Sequence, residues 1–103
     1  MANLSPISEK SGLKVARAAG PYLVTLLSSG SAGIREASAV ALGNLALAGY
    51  KVVKVLVNQD VVERLNQSLV DTRRPEDVAS CLYALYHLLH VMEGTRYHCK
   101  SLF

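Results

Sequence analysis

The chain repeats itself. A shift of 42 positions lays Val15 on Val57, Leu23 on Leu65 and Leu27 on Leu69, and a shift of 43 lays Ala41-Leu42 on Ala84-Leu85 and Leu45 on Leu88. A unit of about 42 residues is too small to bury its own apolar face, so a neighbour must complete its core. Self-similarity at that period is the signature of stacked helical units, and it favours a solenoid over a closed bundle.

The punctuation agrees with this. Ser28-Ser29-Gly30-Ser31-Ala32-Gly33 and Asp71-Thr72-Arg73-Arg74-Pro75 read as loops, with Pro75 suited to open the helix that follows. Weaker breaks stand at Gly20-Pro21, Gly49-Tyr50 and Gly94. Between them, Ile34, Ala37, Ala41, Leu45 and Ala48 recur at three- and four-residue steps and predict a long helix over about Ile34 to Ala48. Val78, Cys81, Leu82, Leu85, Leu88, Leu89 and Met92 predict another over about Glu76 to Glu93. Shorter helices are expected at Leu13 to Ala18, Tyr22 to Leu27, Lys51 to Val57 and Val61 to Val70. The order is short, medium, long, and then the same again. Only the Val-rich stretch from Val52 to Val57 is ambiguous between helix and strand.

Composition narrows the class of protein. Half of the 103 residues are apolar, with no Trp and one Phe, so the core is aliphatic and rich in Ala and Leu, which enter helices at little cost. The most apolar window, Ala37 to Val57, is interrupted by Gly43, Asn44, Gly49, Lys51 and Lys54 and does not read as a membrane span. Cys81 and Cys99 form no CxxC, and the start of the chain lacks a signal peptide's apolar run. Together these predict a cytoplasmic or nuclear protein. The net charge of +3 comes from scattered basic residues with Arg73-Arg74 as the sole adjacent pair, which argues against a nucleic-acid footprint.

The run Pro21-Tyr22-Leu23-Val24-Thr25-Leu26-Leu27-Ser28-Ser29, followed by Arg35-Glu36-Ala37 and by Ala41-Leu42-Gly43-Asn44-Leu45-Ala46, resembles an armadillo repeat. That family pairs a Pro-x-Leu-Val-x-Leu-Leu second helix with a third helix ending Ala-Leu-x-Asn-Leu-Ala. In the second unit Leu65, Leu69, Ala84, Leu85 and Leu88 are kept, the proline is gone, and His87 stands in the place of the asparagine. The resemblance implies an all-α fold, an armadillo-type right-handed α-solenoid of stacked three-helix repeats. It divides the chain into a polar N-terminal segment at 1–9 and a repeat domain at 10–103. Within that domain the repeats fall at about 10–49 and 50–93, with the start of a third at 94–103. HEAT repeats, with two helices per unit, are the related architecture.

The resemblance also implies a role: a scaffold or adaptor that binds a protein or peptide partner along the concave surface lined by the third helices. It gives Asn44 the task of hydrogen-bonding a peptide backbone, for which an amide offers both donor and acceptor; bridging within the solenoid is the alternative. Stepping back by fours, one helical face holds Glu36, Val40 and Asn44, and its counterpart holds Ala79, Tyr83 and His87. Val40 stands where nuclear-import adaptors of this family carry Trp, so a nuclear-transport cargo adaptor ranks second, and a weakly basic nucleic-acid binder third. The apolar C-terminal end, with Met92, Tyr97 and Phe103, is expected to be sticky: it is an alternative site for the partner, to be covered by self-association or by the rest of a longer protein. His87 and His90, near His98-Cys99, do not match a zinc-finger spacing. No acid–base pair or phosphate-cradling loop accompanies Cys81. No metal, cofactor or catalytic activity is expected.

Overall fold

Two serines start the first two long helices. In the computed structural model, which describes residues 8–100 with side chains through residue 93, Ser8 Oγ accepts the N–H of Ser11 and Ser31 Oγ accepts that of Ile34. They cap α1 (Glu9–Leu26) and α2 (Ala32–Ala46), satisfying N–H groups that have no partner inside the helix. Then come α3 (Tyr50–Asn58), α4 (Val61–Asp71) and α5 (Pro75–Lys100), and no strand occurs among the described residues. The ambiguous valines are helical because three-dimensional packing outweighs their weak helix propensity. Val52, Val53 and Leu56 are fully buried.

Three sequence expectations need correction. Gly20-Pro21 does not separate two helices; α1 runs straight through it, so the first unit has two helices and only the second has three. Pro21 removes the one N–H that the Arg17 carbonyl would accept in the ladder; beside that gap, Gln59 Nε2 of the other unit donates to the neighbouring carbonyl, Ala16 O, at 3.0 Å. Gly20 lets that amide approach, since a Cβ there would collide with the Gln59 side chain. Gly94 likewise marks no helix end, because α5 continues to Lys100. Finally, the apolar rows that mark these helices do not coincide with their buried sides. Ile34 (44% exposed) and Ala37 face outward, Ala41 and Ala48 are half-buried, and the buried side of α2 is Ser38, Ala39, Leu42, Gly43, Leu45 and Ala46. On α5, Leu82 and Leu89 are exposed while Cys81, Ala84, Leu85 and Leu88 are buried. Periodicity finds an apolar stripe but not the direction of its neighbours.

The two units stack through their last helices. The most extensive helix pair is α2 against α5, and Gly43 sits at its centre. A Cβ on Gly43 would come within 2.8 Å of the Tyr83 ring and 3.1 Å of the Ala84 Cα, so the missing side chain is what lets the two helices meet so closely. Side chains then fasten the units at the repeat spacing. Besides the Gln59 bond, Arg35 Nη2 donates to Asp77 Oδ2 at 3.1 Å and the Lys51 N–H donates to Glu9 Oε2 at 3.2 Å. The Glu9 bond has a local purpose. Gly49, at φ 144°, precedes α3 without offering a side-chain cap, so α1 lends one.

Candidate functional site

The six residues assigned to the groove lie on α2 and α5, the helix pair that forms the joint. Glu36 and Asn44 are exposed and Val40 is half-buried; Ala79 is exposed, and Tyr83 and His87 are half-buried. The structure brings three of them into one cluster. Tyr83, seated over Gly43, donates its hydroxyl to Asn44 Oδ1 at 2.5 Å. The Tyr83 and His87 rings meet edge to face with centroids 4.4 Å apart. His87 Nδ1 is buried and without a hydrogen-bond partner. Glu36, Val40 and Ala79 extend the same helical faces by one and two turns.

The Tyr83 bond changes what Asn44 has to offer. Part of its acceptor capacity is used within the protein, whereas the two N–H donors of its amide have no partner among the described residues. Asn44 is thus a bridge between units and still a donor toward the groove. Tyr83→Phe should cost about 1 kcal/mol or less, as suits one exposed hydrogen bond. Asn44→Ala added to it should cost little more. Fully additive losses in urea unfolding of the single and double variants would show that the two groups do not act as a pair.

A second surface was not visible in the sequence. The side of α5 turned away from α2 carries Leu82 (51% exposed), Tyr86 (61%) and Leu89 (53%) in one row. Tyr86 stacks on His90 with ring planes 11° apart. Met92, expected at a sticky end, adjoins this row and is 36% exposed. The side chain of Tyr97 and the whole of Phe103 lie outside the described residues. Shifted back by 43, the row falls on Ala39, Gly43 and Ala46, all three buried. The signal was therefore present in the repeat register, but reading it requires knowing which face of α2 is covered.

No group of three metal-ligating side chains occurs among the described residues, and no helix among them is long and apolar enough to cross a membrane. Cys81 is buried, and burial together with the Asp77 charge pushes its thiol up despite a hydrogen bond with Ser68, so little reactive thiolate forms.

Residues 21–47, from Pro21 through the end of α2, match the family model of the Armadillo/beta-catenin-like repeat, so the chain carries a repeat of that family. Such repeats are in general protein–protein interaction modules. No curated protein and no solved structure matches the chain.

Proposed function

We propose that the chain is a protein-interaction module, a short run of right-handed armadillo-type solenoid that engages another polypeptide through the outer face of α5. One observation carries this reading. Leu82, Tyr86 and Leu89 are exposed at the repeat positions where α2 is buried beneath α5. Three large apolar side chains in a row form a patch of the kind that marks interaction sites, placed where the stack calls for another helix. A second copy of this chain is the occupant the molecule itself supplies, and a partner's helix would compete for the same face. The reading is one of binding and not of catalysis, and the place of action proposed is the cytoplasm or nucleus.

Light scattering over about a hundredfold range of concentration tests this, because association follows mass action. The molar mass is expected to rise above that of the monomer as concentration increases. Leu89→Asp should return it to the monomer while leaving the melting temperature nearly unchanged, since Leu89 is half exposed. A constant monomer mass in the parent chain would reject self-association through this face and direct the search to the groove.

The groove is the second reading, favoured by the unpartnered N–H donors of Asn44 beside the Tyr83–His87 ring pair. An extended peptide laid across α2 and α5 would meet these donors with its carbonyls. Cargo adaptors of the nuclear-transport type are less well supported, because half-buried Val40 offers no aromatic slot for a basic side chain.

A further inference from the structure

The N-terminal ends of α2 and α5 frame a cleft of about 400 Å³, bounded also by the end of α4. It lies away from the Leu82–Tyr86–Leu89 row and none of the six groove residues lines it. Four arginines and two aspartates line it, a formal excess of two positive charges. The charges are not equivalent. Arg35 and Asp77 neutralise one another at 3.1 Å, and Arg35 Nη1 is further held by Ser29 O at 2.7 Å. Arg74 is drawn toward Glu76 at 3.6 Å and Asp77 at 3.9 Å. Gln67 Nε2 donates to both carboxylate oxygens of Asp71. The guanidinium groups of Arg64 and Arg73 are left exposed at the rim with neither ion pair nor hydrogen bond among the described residues. The start of α5 adds the positive end of a helix dipole to the same rim.

We propose that this cleft docks an acidic peptide segment, whose carboxylate or phosphoserine oxygens pair with Arg64 and Arg73. Guanidinium forks match such oxyanions two bonds at a time. The lining contains no aromatic side chain, so the cleft has no platform on which a nucleobase would stack, which favours a peptide over a single-stranded nucleic acid.

The test is fluorescence anisotropy at low salt with four labelled probes: a glutamate-rich decapeptide, the same peptide with phosphoserines, its glutamine counterpart, and an oligouridine of similar charge. Both acidic peptides should bind and the glutamine peptide should not. Arg64→Gln with Arg73→Gln should weaken binding by about tenfold or more without lowering the melting temperature, since neither guanidinium has a partner to lose. Asn44→Ala should leave the affinity unchanged, which separates this site from the groove. Tighter binding of the phosphoserine peptide would assign the site to phosphorylated segments, and equal binding would assign it to acidic segments in general; either outcome supports the proposal. Undiminished binding by the double arginine variant, equal binding of the glutamine peptide, or preference for the oligouridine overturns it.

Discussion

Replacing Ala46 with aspartate should abolish the cooperative thermal melt. Ala46 is fully buried and lies three residues beyond Gly43, on the helical face that receives α5. A carboxylate there has no water and no partner, and the packing that accommodates only small groups has no room for it. Leaving a charge unpaired in such a place costs about 4 kcal/mol. A small domain has about 5–15 kcal/mol in all, and a chain of this size sits near the low end. Ala37 supplies the contrast. Its spacing puts it in the same apolar row as Leu45, yet it is exposed, so Ala37→Asp should shift stability by about 0.5 kcal/mol or less. Circular dichroism melts of the two variants decide the matter. A normal melt for Ala46→Asp, or a lost one for Ala37→Asp, would mean that the covered face of α2 is wrongly assigned.

Asp77→Ala should be the second most damaging change, at about 3 kcal/mol, because it leaves the partly buried Arg35 guanidinium with no counter-charge and only Ser29 O as a partner. Asp77 anchors a chain of three hydrogen bonds, two of them its own. Arg35 donates to it, Thr72 Oγ1 donates to the same Oδ2 at 2.9 Å, and Thr72 in turn accepts the N–H of Arg74. Burial alone would push this carboxyl up. The hydrogen bonds from Thr72 and Arg35 and the charges of Arg35 and Arg74 outweigh that, holding it below its ordinary value of 3.8. A carboxyl depressed in the folded state stabilises the protein above the unfolded value and loses that contribution as pH falls through the folded one. Asp77 should therefore contribute fully above about pH 4 to 5 and fade below 3.8. In denaturant titrations the parent chain should lose stability along this acid limb, and Asp77→Asn should lose less. Identical acid limbs in the two proteins would show that the network does not depend on the charge of Asp77.

How far the sequence reveals this molecule depends on whether the determining contact is local. The loops before Ala32 and Pro75 were legible because serine caps and an N-terminal proline act within a few residues. The position of Asn44 was legible through its motif. Its bond to Tyr83 was not, since it spans 39 residues and exists only because Gly43 lacks a side chain. The continuity of α1 failed for the same reason. Proline disfavours a helix interior by local rules, whereas the packing that holds α1 together here, with Gln59 bonded to Ala16 O, comes from the other unit. The Arg35–Asp77 bridge and the cleft around it were missed entirely. Nothing in either residue's neighbourhood signals a partner 42 positions away.

The cap that Glu9 lends to α3 makes the two units unequal. Helices of 9 and 11 residues, such as α3 and α4, are too short to persist alone in water, and neither is preceded by a residue whose side chain caps it. The first unit, by contrast, opens both of its helices with its own serines. The dependence therefore runs one way: α1 and α2 start on side chains next to them in sequence, while α3 starts on a carboxylate 42 positions away.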